Sequence, residues 1–271
     1  MVKGGNKRRR VCVAMIKAVP VEADREANWQ TLKRLSEPLI GKNVDVMITP
    51  ECFLDGYMVK NKKWSRDDLK ANAEPGEEGK YVQRLKQLAM DLKCYIVAGF
   101  SECVDRENIR NAAYLFDRSG EIKGKYYKIH VNQFYTRGND LPVFDCDFGR
   151  VGIVICADRR WPENIRVLRL KGAEVILMPT YGMHHEDNRM WMQTRAYENG
   201  IFICFTHPMQ GLITGPTGKV EAILESNVED VLMHNIDLSQ IVPLKTRKKN
   251  VSTTHPIQNR YPELYRTLVE R

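Results

Sequence analysis

The run VGIVICADRRWPE at 151–163 constrains the fold of this chain more than any other stretch. Residues 151–155 are Val and Ile with a single Gly, which reads as a strand buried on both faces. Pro162 opens a helical pattern, because proline's fixed φ suits the first turn of a helix. Cys156 is thereby expected at a strand-to-helix corner, facing the positive end of the helix dipole, where a thiolate would be favoured. A thiol presented in this way can act as a nucleophile. A free cysteine is more often a small buried hydrophobe, so other stretches must decide.

The same alternation of apolar strand and amphipathic helix recurs along the chain. Residues 11–18 read as a first strand, and Trp29, Leu32, Leu35 and Leu39 follow at near-helical spacing. The strand 44–49 runs straight into Pro50-Glu51, leaving a carboxylate just past its C-terminal end. Residues 60–78 are polar and irregular and are expected to form a long loop at the rim of a site. Val82, Leu85, Ala89 and Leu92 mark a helix before the strand 95–100. The strand 111–116, the turn Asp117-Arg118-Ser119-Gly120 and the residues from 121 onward form an expected antiparallel hairpin that delivers Lys128. A buried strand at 175–178, a helix at 190–199, a strand at 201–206 and shorter strands at 220–224 and 231–237 follow.

No repeat, low-complexity segment or Gly/Ser-rich linker interrupts the pattern. It predicts one α/β domain over 11–271 with mixed sheets, preceded by a basic N-terminal tail at 1–10 and ending in a C-terminal extension from about 240.

Composition narrows the class. No apolar run approaches the ~20 residues of a membrane span, and residues 1–10 lack the apolar core of a signal peptide, so a cytoplasmic location is expected, with no membrane partner. Seven scattered cysteines without a C-x-x-C pair predict reduced thiols and no zinc site. The net charge of +8 resides at Lys3, Lys7 and Arg8 to Arg10 and at Lys245 and Arg247 to Lys249, which leaves the body between them nearly neutral. No aromatic residues interleave with these basic runs, so the charge does not point to a nucleic-acid partner. No Gly-rich phosphate loop follows a strand, and His185-Glu186 lacks the second histidine of a zinc helix, so neither a cofactor nor a metal is expected.

An acid, a lysine and a cysteine at the ends of predicted buried strands meet if those strands share one sheet edge, which is where open α/β sheets build their sites. A carboxylate can take the thiol's proton and return it to a departing nitrogen. A lysine ammonium, with backbone N–H groups at the Cys156 corner, can hold the oxyanion formed when the thiolate attacks a carbonyl. Such a set suits metal-free hydrolysis of a carbon–nitrogen bond through a thioester. Spacing alone leaves Glu51 open to being a solvated loop acid and does not separate Lys128 from Lys123 or Lys125.

The blocks Pro50-Glu51-x-x-x-Gly56-Tyr57, Tyr127-Lys128-x-His130 and Gly152-x-x-x-Cys156-x-Asp158-x-Arg160-Trp161-Pro162-Glu163 resemble, in order and spacing, the three signature blocks of the nitrilase, or carbon-nitrogen hydrolase, family. Arg195-Ala196-x-Glu198-Asn199 and Arg260-x-Pro262-Glu263-Leu264-Tyr265 extend the resemblance along nearly the whole chain. It implies a four-layer α-β-β-α sandwich that pairs as a homodimer or larger homo-oligomer. It also implies Glu51 as general base, Lys128 as oxyanion holder and Cys156 as nucleophile. Many members carry a second glutamate after the lysine block; here His130 to Gly138 has none, and Asn132 or Gln133 is the candidate replacement.

The pair Arg159-Arg160 is similar to the nucleophile block of N-carbamoyl-D-amino-acid amidohydrolases, whose arginines hold the substrate carboxylate. The alternative is a structural Arg160 and a solvent-facing Arg159. Tyr57 and His184 are further candidates for the pocket wall, although His184 and His185 also suit an exposed loop. The expected substrate is a small amide or N-carbamoyl compound. The alternatives are a nitrile substrate, or a non-catalytic role in binding a ligand or nucleic acid.

Overall fold

A computed structural model describes residues 9–105, 107–182, 186–245, 252 and 254–270. The first half contains β1 (Arg10–Lys17), α1 (Arg25–Ser36), β2 (Val46–Ile48), α2 (Arg66–Asn72), α3 (Lys80–Leu92), β3 (Tyr95–Cys103), β4 (Ile109–Phe116) and β5 (Ile122–Tyr127). The second contains β6 (Val143–Cys146), β7 (Gly149–Ile153), α4 (Pro162–Leu170), β8 (Val175–Pro179), α5 (Glu186–Asn199), β9 (Phe202–His207), β10 (Gln210–Thr214), β11 (Val220–Glu225) and β12 (Asp230–Asp237).

Two six-stranded sheets result, in the orders β12-β1-β2-β3-β4-β5 and β11-β10-β9-β8-β7-β6. In each, three parallel strands form the centre, β1-β2-β3 and β7-β8-β9, with antiparallel strands outside them. The sheets stack face to face with a helical layer on each outer side, so the predicted mixed α-β-β-α sandwich is the observed architecture.

Strand periodicity explains the layering. Side chains alternate faces along a strand, and β1 sends Val11, Val13 and Met15 between the sheets, where they join Val46, Ile48 and Val97 of its own sheet and Ile153, Leu177 and Cys204 of the other. Its intervening Cys12, Ala14 and Ile16 face Trp29 and Leu32 of α1 and Val82 and Leu85 of α3. On the far side, Ile165 and Leu168 of α4 and Met192 and Ala196 of α5 cover Ile176, Met178, Ile203 and Phe205. Both faces of the central strands are apolar, which is why they read as continuous apolar runs rather than as alternation.

Four elements differ from the sequence reading, the first being β10, a buried strand that was not anticipated. The stretch 60–78 is not a plain loop: it contains α2, begun by a reciprocal capping box between Ser65 and Asp68 and anchored by buried Leu69. The strand β6 was not anticipated, because four residues at a sheet edge, none of them fully buried, carry no periodic signal. The strand β12 crosses back to pair antiparallel with β1, so the chain's late strands complete the first sheet. Among the described residues, no helix is long and apolar enough to cross a membrane.

Candidate active site

Each of the three predicted catalytic residues lies just beyond the end of a strand, and the strands come from both sheets. Glu51 follows β2 and is fully buried; its N–H donates to the Thr180 carbonyl just past β8, a link across the two sheets. The turn bearing Glu51 packs on β3 at Gly99, where an added Cβ would come within 2.7 Å of the Pro50 carbonyl oxygen. Lys128 follows β5, is buried, and donates its N–H to the Asn111 carbonyl on β4. Cys156 begins the 3-10 turn Cys156–Arg160 beyond β7 and has φ +44°, a left-handed backbone that costs a non-glycine residue on the order of 1–3 kcal/mol. Cys52 and Tyr57 adopt similar positive φ values, so backbone strain clusters around the site.

The Glu51 and Lys128 side chains meet in the buried space between the sheets' ends. The Lys128 ammonium donates to Glu51 Oε1 at 2.5 Å. Asn111 Nδ2 donates to the same oxygen at 2.7 Å, while Glu51 Oε2 is buried with no hydrogen-bond partner among the described residues. A charged hydrogen bond and an amide therefore hold one carboxylate oxygen and leave the other able to accept a proton. Burial lowers the proton affinity of Lys128, but the Glu51 carboxylate beside it more than offsets this, so on balance it stays charged.

The thiol itself departs from expectation. The helix α4 starts only at Pro162, beyond the 3-10 turn, and its dipole does not dominate at Cys156. Burial, reinforced by the Glu51 carboxylate, pushes the Cys156 thiol up, against the smaller opposing pull of Lys128 and Arg159. Resting Cys156 therefore holds its proton at neutral pH and needs a base at the moment of attack.

The two arginines separate. Arg159 is fully buried: its Nη1 lies 3.4 Å from Cys156 Sγ, its Nε donates to Asn188 Oδ1 at 3.0 Å, and its Nη2 donates to the Gly182 carbonyl at 3.2 Å. The Trp191 and Phe205 rings flank its guanidinium at 5.7 and 5.6 Å. Arg160 is exposed, and its carbonyl accepts from Arg195 Nη2. Tyr57 stacks on Tyr181 with ring centroids 4.6 Å apart, and the Lys128 ammonium lies 5.9 Å from its ring centre. The Glu51 charge and then burial raise the proton affinity of the Tyr57 hydroxyl, which keeps it a donor. His184 lies outside the described residues. Asn132 and Gln133 are exposed, and Asn132 Oδ1 accepts from the Phe134 N–H instead of reaching Glu51.

Sequence reasoning missed Asn111, Tyr181, Asn188, Trp191 and Phe205. Asn188 and Trp191 share one face of α5 at i, i+3 spacing, the only signal that would have grouped them.

Residues 12–246 match the carbon-nitrogen hydrolase family model. A nitrilase of Pyrococcus abyssi is 29% identical over 94% of this chain and 99% of its own length. An N-carbamoylputrescine amidase of Arabidopsis thaliana is 26% identical over 97% of this chain and 96% of its own. The crystal structure of a carbon-nitrogen hydrolase from Helicobacter pylori superposes with a TM-score of 0.83 at 18% identity, covering 98% of this chain and all of that one.

Proposed function

Because this chain belongs to the carbon-nitrogen hydrolase family, we propose that it hydrolyses the carbon–nitrogen bond of a small amide or N-carbamoyl compound, with Glu51, Lys128 and Cys156 as its catalytic groups. The observation that carries the reading is the division of the Glu51 carboxylate: Oε1 is held by Lys128 and Asn111, and Oε2 is buried with no partner among the described residues.

In the proposed sequence Glu51 takes the proton from Cys156 Sγ as the sulfur attacks the carbonyl carbon. The Lys128 ammonium holds the tetrahedral oxyanion. The carbon–nitrogen bond breaks and the nitrogen receives the proton from Glu51: an amide loses ammonia and leaves a thioester, whereas an N-carbamoyl compound loses its amine and leaves a thiocarbamate, whose hydrolysis in the same way gives carbamic acid and from it ammonia and carbon dioxide. Glu51 then deprotonates a water, which adds to the thioester carbonyl and expels the sulfur; the thiol recovers its proton as the acid leaves.

Arg159 supports the finer choice of substrate. It is a buried guanidinium beside the nucleophile, and among the described residues no carboxylate pairs with it. Burying an unpaired charge is costly, and a substrate carboxylate would offset that cost through charge-assisted hydrogen bonds. The same cation disfavours an amine-bearing substrate such as N-carbamoylputrescine, on which the Arabidopsis relative is named as acting. The reading therefore favours an N-carbamoyl amino acid or another carboxylate-bearing amide. The Pyrococcus relative keeps a nitrile as the second reading: the thiol would add across the C≡N bond, and water would convert the thioimidate to the thioester with loss of ammonia.

The test is ammonia release from N-carbamoyl amino acids, short aliphatic amides and nitriles. Release from the carbamoyl acids is expected to vanish in Cys156→Ser, and Arg159→Met is expected to raise KM for carboxylate-bearing substrates more than for neutral amides. Activity retained by Cys156→Ser would overturn the mechanism, and a nitrile consumed faster than its amide would select the second reading.

A further inference from the structure

We propose that Asp158 is a positioning residue that sets the separation between the Lys128 ammonium and the Cys156 thiol, an inference that rests on the catalytic reading of those two groups. The chain itself does not fix this separation. Lys128 extends from β5, the edge strand of the first sheet, whereas Cys156 follows β7 of the second. An edge strand has a neighbour on one side only, so within the sheet β5 pairs with β4 alone.

The link between the two is one buried carboxylate. Asp158 lies in the 3-10 turn begun by Cys156 and is fully buried. Its Oδ2 accepts from the Tyr126 hydroxyl at 2.7 Å and the Ile129 N–H at 3.2 Å. Its Oδ1 accepts from the His130 N–H at 2.8 Å and contacts His130 Nδ1 at 2.7 Å. These contacts bracket Lys128 on both sides. The His130 ring stacks on Trp161 at the far end of the same turn, with centroids 3.4 Å apart, and Asn164 Nδ2 holds the Asp158 carbonyl from α4 at 2.9 Å. The lysine segment is thus fastened to the nucleophile turn at three residues, Tyr126, Ile129 and His130, and both sheets share the anchor.

The chemistry of the substitutions follows from these contacts. In Asp158→Asn an amide N–H must replace one oxygen. A tyrosine hydroxyl can reverse and accept from it, but the Ile129 N–H cannot, so two donors face each other and the segment is pushed away. Tyr126→Phe removes one donor and keeps the charge.

The test needs no substrate: the rate of Cys156 alkylation by iodoacetamide is followed against pH by peptide mass spectrometry in the full chain. Lys128→Met removes the cation that opposes thiol protonation, so the Cys156 profile is expected to move to higher pH, with alkylation near neutrality slowed about tenfold for every pH unit that the profile moves. Asp158→Asn is expected to move it the same way, and Tyr126→Phe less far. Loss of the Asp158 charge would by itself favour the thiolate, so an upward move reports the withdrawal of Lys128. A merely structural role gives the opposite signature, in which the buried Cys12, Cys94 and Cys204 become reactive as the fold opens; should Asp158→Asn do this, Tyr126→Phe decides. The inference is overturned if Lys128→Met moves the profile while Tyr126→Phe and a folded Asp158→Asn leave it in place. If Lys128→Met leaves it in place, the pairing of Lys128 with the thiol falls instead.

Discussion

Asp55 shows how a single side chain behind the site ties stability to pH. Its carboxylate is buried and accepts from the Ser101 N–H at 2.7 Å and the Ser101 hydroxyl at 2.9 Å. Burial is the main cause of a proton affinity pushed up to about 7, with the Glu51 charge adding to it. The unfolded chain releases this proton near pH 4, so the folded state binds more protons between those values. The contribution is therefore fully present below about pH 4 and is lost as pH rises through about 7. Asp55→Asn removes the titration, so its Tm relative to the parent is expected to rise from pH 5 to pH 8, by an energy on the order of a few kcal/mol. Paired melts with a constant difference at the two pH values would refute this. At this scale the sequence pointed to the residues proposed as reactive but not to their states. Cys156 is identifiable from its block, whereas its raised proton affinity depends on Glu51 and on burial, neither of which neighbours it in sequence.

The elements matter here because their ends carry the chemistry, and the turn after β2 is the most constrained of them. Gly99 on β3 has no side chain at the point where that turn crosses it; an added Cβ would meet the Pro50 carbonyl at 2.7 Å, the Cys52 nitrogen at 2.9 Å and the Glu51 Cα at 3.2 Å. All three are backbone atoms, so no rotamer relieves the contact. Elsewhere in a strand a Gly→Ala change is favourable by roughly 0.5–1 kcal/mol. Gly99→Ala is expected instead to displace Glu51 and lower kcat at least about tenfold, the loss expected for about 1.4 kcal/mol of misplaced transition-state stabilisation. Unchanged turnover on a substrate found by ammonia release would show that the turn tolerates the displacement. The long elements were legible because their periodicity runs over many residues. The short ones were not: β6 is an unburied edge strand, and α2 was announced only by the Ser65 and Asp68 capping pair within a polar stretch.

The whole molecule is held by the seam between its sheets. Met15 on β1 is fully buried there and reaches Gly211 of β10, where an added Cβ would lie 3.3 Å from its Cε. Met15→Ala leaves a cavity between the sheets and is expected to cost about 2–5 kcal/mol. Met15 is not among the groups proposed to act on substrate, so kcat of the folded fraction is expected to stay unchanged, which denaturant unfolding and turnover together would check; a kcat loss without a stability loss would contradict it. By itself the sequence determined the strand and helix alternation, the two apolar faces of each central strand and the three blocks bearing Glu51, Lys128 and Cys156, because local periodicity and fixed spacing are written in neighbouring residues. Only the tertiary structure decided that β12 completes the first sheet, that Asn111 and Lys128 share one oxygen of Glu51, and that Arg159 turns inward while Arg160 turns out. Those outcomes depend on which buried polar groups meet across two sheets, and residues far apart in the chain carry no local mark of the partner they will find.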